Sequence, residues 1–237
     1  MTNGPNDQAQ PMATTLGDPL LVEDVLLLLF QPRSRTIAGE NTLFYVLGGA
    51  VVADLALAER IETRPSGRFS SAVHARGGVP PADPLLEPAW TYIAERPRDV
   101  QTVLAGFGPH LRGPVLDRLV ERGDLDRAAT KVLGLFPSTR LSLGGSRRGA
   151  LLADARAALL GEADPSPRTA AIAALLSASG ALPQLHPDIP WNSVVATRGT
   201  QFQHGDWGAS AAASAVSRTM TAIVTSAVSA ATTLPRG

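Results

Sequence analysis

The chain has 237 residues, with 21 basic and 21 acidic side chains, so its formal net charge is zero; 44% of its residues are hydrophobic and 18% charged. That balance excludes a strongly basic nucleic-acid binder and an acidic tail protein, and the apolar content excludes a disordered chain. Cysteine is absent, which removes disulfides, thiolate nucleophiles, iron–sulfur clusters and sulfur-ligated zinc.

Residues 1–17 are rich in Asn, Gln, Pro and Thr and are expected to be a disordered lead-in. No basic residue there precedes an apolar stretch, so no secretory signal is read. Residues 18–234 are expected to form one helical domain. Asp18-Pro19 is a helix start, with Asp as cap and Pro at the first position. The run 20–30 that follows is apolar almost all round, which argues for burial on most sides; Pro32 is expected to stop it. Its longest aliphatic stretch, 25–30, is far short of the ~20 residues that cross a bilayer. A loop over 31–40 carries Arg33 and Arg35.

Asn41-Thr42 is positioned to cap a second helix over 43–59, in which Leu43, Val46, Leu47, Ala50, Val51, Leu55 and Ala58 fall on one face. Gly48-Gly49 at its centre lowers helix propensity by roughly 1 kcal/mol per glycine, which close approach of another helix would offset. Residues 61–63 and 69–73 flank Arg64-Pro65-Ser66-Gly67-Arg68, the pattern of a β-hairpin. After a loop over 77–84, a helix from Asp83-Pro84 presents Leu85, Leu86, Ala89, Trp90 and Ile93 on one side. Asp99 caps a short helix through Phe107, and Gly108-Pro109 breaks the chain. Val115, Leu116, Leu119 and Val120 then make an apolar stripe, with Arg112, Asp117, Arg118, Glu121 and Arg122 opposite. Gly123 suits the position just past that helix.

Leu125 and residues 132–135 read as a second hairpin or an extended segment. Residues 147–160 form a further helix closed by Gly161, and Pro165-Ser166-Pro167 a linker. Residues 168–179 make a helix with Ile172, Leu175 and Leu176 inward. Pro183, Pro187 and Pro190 mark irregular chain. The Ala/Ser/Thr/Val-rich tail, 206–234, is read as a helix with Trp207, Val216, Met220, Ile223 and Ala227 on its buried edge. The fold class is therefore mainly α, with one or two β-hairpins.

Familiar catalytic signatures are missing. The sole lysine, Lys131, follows Thr130 and not Gly, so there is no Walker A loop. There is no Gly-x-Ser-x-Gly elbow and no His-Glu-x-x-His pair. His186-Pro187-Asp188 and His204-Gly205-Asp206 are read as surface loops rather than metal ligands. Asp54, among apolar residues, is read as a carboxylate hydrogen-bonded at a helix junction, because buried charges are usually paired. Glu23-Asp24 is read as complementing the dipole of the first helix. Arginines cluster at 33/35, 96/98, 112/118/122 and 147/148. Arg forks match phosphate oxygens, but in a chain with one lysine the favoured reading of these clusters is a solvated face.

The order of elements carries a resemblance. Residues 22–29 (Val-Glu-Asp-Val-Leu-Leu-Leu-Leu), residues 47–61 from Leu47-Gly48-Gly49 through Glu59-Arg60-Ile61, and Leu119-Val120-Glu121-Arg122-Gly123-Asp124-Leu125 resemble successive segments of the Golgi phosphoprotein 3 family. Residues 132–137 and 167–176 look like the forms seen in its actinobacterial members. The resemblance covers 19 to about 182, with a weak continuation into the Trp207 segment. It implies a helical domain without enzymatic activity or cofactor. For eukaryotic members it implies a peripheral membrane adaptor that reads phosphatidylinositol 4-phosphate in a basic pocket, inserts an apolar hairpin into the bilayer, and holds the tails of glycosyltransferases.

The family's pocket carries over only in part. Its pattern has a Trp at the entry of the second helix, nine residues before the Arg of a Leu-Arg-Gly triplet. Those positions here are Gly39 and Gly48. An Arg-x-x-Arg pair falls on Pro109 and Arg112, so one arginine survives. A single Arg–phosphate contact lacks the geometry for stereospecific headgroup reading. The expected function is thus a non-enzymatic peripheral adaptor for anionic lipid headgroups with that pocket largely lost. Arg112 would lead the headgroup site, with Arg33 and Arg35 as helpers. Val132, Leu133, Leu135 and Phe136 would touch the membrane or a second subunit. The expected partners are an anionic phospholipid surface, further copies of the chain and membrane-protein tails, with no nucleic acid. The expected location is the cytoplasm or the inner face of the cell membrane. The alternative is a self-associating protein-interaction adaptor that never touches lipid.

Overall fold

The computed structural model describes residues 16–66, 71–132, 136–205 and 215–232. Helix α1 (Leu21–Leu29) is buried at every position, including Glu23 and Asp24, as its all-round apolar sequence demands. It does not begin at Asp18-Pro19. Its N-cap is Leu20, whose backbone N–H donates to Glu23 Oε1 at 3.1 Å. The next two N–H groups, of Leu21 and Val22, donate to the Asp54 carboxylate at 2.7 and 3.1 Å. A side chain 33 positions away thus satisfies donors that every helix start leaves unpaired.

The helix ends at Leu29, ahead of Pro32. The loop expected over 31–40 contains a small hairpin, β1 (Phe30–Gln31) against β2 (Thr36–Ile37), antiparallel with Phe30 opposite Ile37. Arg35 closes its turn with φ at 61°. A turn of 3₁₀ helix, Glu40–Thr42, then leads into α2 (Leu43–Leu57). Thr42 makes no side-chain cap; its hydroxyl donates to the Ser179 carbonyl at 3.2 Å.

Helix α2 is the centre of the packing. It contacts α1, α4 (Val100–Phe107), α7 (Pro167–Ala178) and α9 (Ala215–Thr232). Its paired glycines make this possible. A Cβ on Gly49 would lie 3.0 Å from Ala227 Cβ and 3.2 Å from Leu175 Cδ2, and one on Gly48 would lie 3.4 Å from Leu104. Residues Glu40–Leu57 are long and apolar enough to cross a membrane, but 67% of that stretch is buried inside the protein. Ala50, Val51, Val52 and Leu55 are fully buried, each large aliphatic contributing about 1.5–3 kcal/mol.

Around this centre the expected hairpin appears as β3 (Ile61–Pro65) and β4 (Ser71–Ala75), in register Thr63 to Val73, with β5 (Arg98–Asp99) added to the other edge of β4. Helix α3 (Glu87–Ala94) buries Ala89, Trp90 and Ile93. Asp99 caps α4 as expected, accepting from the Gln101 N–H at 2.9 Å. After a 3₁₀ turn (Gly108–His110), α5 (Arg112–Glu121) buries Val115, Leu116 and Leu119, and Gly123 follows it with φ at 75°.

The second hairpin is long: β6 (Leu125–Val132) pairs with β7 (Phe136–Leu143), Leu125 opposite Leu143 and Val132 opposite Phe136. Leu133 and Leu135 lie outside the described residues, and of Val132 and Phe136 only the backbone is described. Helix α6 (Arg147–Leu160) ends at Gly161, in the left-handed region at φ 72°. The expected linker 165–167 is instead the start of α7: Ser166 accepts from the Thr169 N–H at 3.1 Å, and Pro167 is the first helical residue. A helix absent from the sequence expectations, α8 (Ser193–Gln203), follows the prolines and is capped by Asn192. In α9, Met220, Ile223 and Ala227 are buried as expected. Trp207 lies outside the described residues, and of Val216 only the backbone is described. The protein is mainly α with a few small antiparallel sheets, as its sequence pattern requires.

Candidate functional site

Among the described residues, three places bear on the charged side chains that the sequence singled out. The first is the start of α1. Glu23 and Asp24, expected merely to face the helix dipole, instead anchor a buried ion network. Arg118 Nε lies 2.8 Å from Glu23 Oε1, and its two Nη groups donate to Asp83 at 2.8 and 2.6 Å. Arg122 donates to Glu23 and to the Gly17 carbonyl. Arg147 bridges Asp24 and Asp124, the latter at 2.7 Å. Arg168 donates to Asp24 at 2.5 Å and to the Pro19 carbonyl at 2.9 Å, with Asp54 at 3.8 Å.

Arg118 on α5 and Arg148 on α6 are therefore not on a solvated face: each is only 6% exposed. A buried guanidinium needs carboxylates beside it, and here they come from α1, α2 and two loops. Burial pushes the Asp54 carboxyl up to about 7, against the lowering pull of the Leu21 and Val22 N–H groups and Arg168. Burial raises Asp24 in the same way. For Arg118 burial acts downward, but Asp83 and Glu23 outweigh it and hold the guanidinium above its ordinary value. Every member is engaged by a neighbour, so the network's chemistry is structural.

The second place is a groove of about 110 Å³ lined by Glu40, Leu43, Phe44, Leu47, Gly108, Pro109 and Arg112. It sits where the start of α2 meets the 3₁₀ turn before α5. Gly108 permits the approach, because a Cβ there would stand 2.4 Å from the Phe44 carbonyl oxygen. Arg112 Nε pairs with Glu40 Oε1 at 2.9 Å, both side chains about half exposed. Apart from that pair the lining is apolar.

The third is a cleft of about 220 Å³ between the β1–β2 turn and the chain ahead of α8. Gln31, Pro32, Arg33, Ser34, Arg148, Gln184, His186, Pro187 and Asp188 line it. The structure thus separates the three arginines expected to act together. Arg112 lines the groove, Arg33 lines the cleft, and Arg35 is exposed and lines neither. The two linings share no residue. Arg148, which places a buried guanidinium in the cleft, was not singled out as a site residue by the sequence. Its only signal there was the Arg147-Arg148 pair at the start of a helix.

Among the described residues, no group of three or more His, Asp or Glu is arranged to hold a metal ion. His186 belongs to the cleft and His204 ends α8; Asp206 lies outside the described residues. Compared with known families, residues 21–219 match the family model described as Golgi phosphoprotein 3 (GPP34). No individual curated protein matches the chain significantly.

Proposed function

The chain belongs to the Golgi phosphoprotein 3 family, and from that premise we propose that it is a non-enzymatic adaptor that docks on an anionic membrane surface, with the family's phosphoinositide pocket reduced to one arginine. The observation that carries this reading is the groove at Arg112. The resemblance assigned a headgroup pocket to the positions of Gly39, Gly48, Pro109 and Arg112. Pro109 and Arg112 line one groove, together with Leu47, which precedes Gly48, and Glu40, which follows Gly39. We take this groove as the counterpart of that pocket, with two glycines and a proline standing where the resemblance puts the aromatic and two of the cations. The remaining guanidinium already faces Glu40 at 2.9 Å.

One exposed arginine shared with a carboxylate supplies attraction to anionic surfaces but no stereospecific fork on a phosphorylated inositol. The adaptor would recognise surface charge, holding membrane-protein tails or further copies of itself there. Vesicle flotation tests this with phosphatidylserine and phosphatidylinositol 4-phosphate at matched charge. Binding that rises with acidic lipid, falls in Arg112→Ala and shows no preference between the two lipids is the expected result. Absence of any acidic-lipid dependence contradicts the reading, as does a strong preference for the phosphoinositide.

A second reading rests on the β6–β7 hairpin. Its strands are eight residues each, longer than the other strands among the described residues, and residues 126–129, 139 and 140 are exposed. Exposed paired strands of this length favour association with another chain. Light scattering after size exclusion distinguishes this reading: a stable oligomer that floats with no vesicle supports self-association without lipid.

A further inference from the structure

The cleft beside α1 is built differently from the ion network. Arg148 is 6% exposed, yet its guanidinium makes only long contacts, none under 3.5 Å. Nη2 reaches only the Leu28 carbonyl, at 3.5 Å. Nη1 forms only a long ion pair with Asp188 Oδ2, at 3.6 Å, and that carboxylate is 54% exposed. Nε is buried without a hydrogen-bond partner, a state it shares with Arg118 Nε and Arg147 Nη2, so the difference lies in the distance to the nearest carboxylate. By contrast, Arg118, Arg122, Arg147 and Arg168 each hold a carboxylate within 3.0 Å.

An under-bonded buried cation is costly unless something completes its shell. The cleft opens onto this group and has room for an anion, at about 220 Å³ against ~30 Å³ per water. Arg33, on the exposed β1–β2 turn, lines it as well, and His186, Ser34 and Gln184 add polar groups to the wall. Arg148 lies near the C-terminal end of α1, where the Leu28 carbonyl is one of the unpaired acceptors that a helix end leaves.

We propose that this cleft is an anion site for a phosphate monoester, with Arg148 as the buried receptor, Arg33 as the clamp and Asp188 as the group that the anion displaces. Two guanidinium forks suit the three terminal oxygens of a phosphate monoester better than the two of a carboxylate. The site is separate from the groove at Arg112, so it stands or falls independently of the reading given above.

The test is isothermal titration of the full chain with inorganic phosphate and with glycerol 3-phosphate, alongside flotation on phosphatidic-acid vesicles. Wild-type protein is expected to bind phosphate saturably. Arg33→Glu, a surface change that leaves the core untouched, is expected to weaken it at least tenfold. Asp188→Asn is expected to strengthen it several-fold, and Arg96→Ala, at an exposed arginine outside both the groove and the cleft, to leave it unchanged. Soluble ligands binding as well as the vesicles identifies a free phosphate ester as the occupant, and a large advantage for the vesicles that is lost in Arg33→Glu, both measured on an Arg112→Ala background so that the groove does not contribute, identifies a lipid headgroup. The proposal is overturned if neither the soluble phosphates nor the vesicles bind, or if binding persists in Arg33→Glu. Loss of phosphate binding in Arg112→Ala would likewise overturn it and place the anion in the groove instead.

Discussion

The two ends of α1 treat arginine in opposite ways. At its N-terminal end, four guanidinium groups from α5, α6 and α7 close on Glu23, Asp24 and their neighbours, and each finds a carboxylate. At its C-terminal end, Arg148 is equally buried but meets one carbonyl at 3.5 Å and a half-exposed aspartate at 3.6 Å. The same residue type thus locks the fold at one end and is left to receive a ligand at the other. What decides between them is how many carboxylates the surrounding elements bring within reach. Burial then acts downward on Arg148, with Asp188 offsetting it only in part.

The contrast is broken most severely at Glu23. Glu23→Gln leaves Arg118 and Arg122 short of a charge in a buried site, a change that costs about 3–5 kcal/mol. Chemical denaturation should show that loss. A cost below about 1 kcal/mol would mean the network is solvated and the contrast false.

Asp54 sharpens the picture through pH. Its folded value is about 7 against an ordinary 3.8, so between those limits the folded chain holds a proton that the unfolded chain has released. Stability from this group is therefore full below pH ~4 and is lost as pH rises through 7. Asp54→Asn should flatten that slope. It should also lower stability near pH 5 by about 1 kcal/mol, because an amide has one acceptor for the two N–H groups of Leu21 and Val22. Unchanged pH dependence in the variant would contradict the assignment.

The smallest effect is expected outside both regions. Glu59 follows α2 in the left-handed region at φ 53°, where the Arg60 N–H reaches back to the Leu55 carbonyl at 2.8 Å. Glycine has no steric penalty there, so Glu59→Gly should raise stability by about 1 kcal/mol and leave phosphate and vesicle binding as they were.

Much of this architecture could be read from residue order. The all-round apolar α1, the glycine pair of α2 and the Asp99 cap each follow from local pattern, and the structure repeats them. Asp54 at a helix junction followed from the cost of a lone buried charge. The same argument applied to Glu23 and Asp24 would have exposed the network, since two acids inside a fully apolar helix demand partners. Those partners lie about 95–145 positions along the chain, and no local period brings them together. Helix α8 escaped notice because three prolines and a polar sequence precede and fill it, with only Asn192 marking its start. For the groove, family spacing brought Pro109 and Arg112 to the entry of α2. For the cleft, Arg33 was visible but its partner was not, because Arg148 reaches it from a helix that looked solvent-facing.

The most direct measurement is the thermal midpoint of wild-type, Arg168→Gln and Arg33→Glu proteins, each with and without saturating inorganic phosphate. If the network serves structure and the cleft serves a ligand, Arg168→Gln starts lower but gains the same increment from phosphate as wild type, while Arg33→Glu starts level and gains none. An increment that survives in Arg33→Glu, or disappears in Arg168→Gln, would contradict that division.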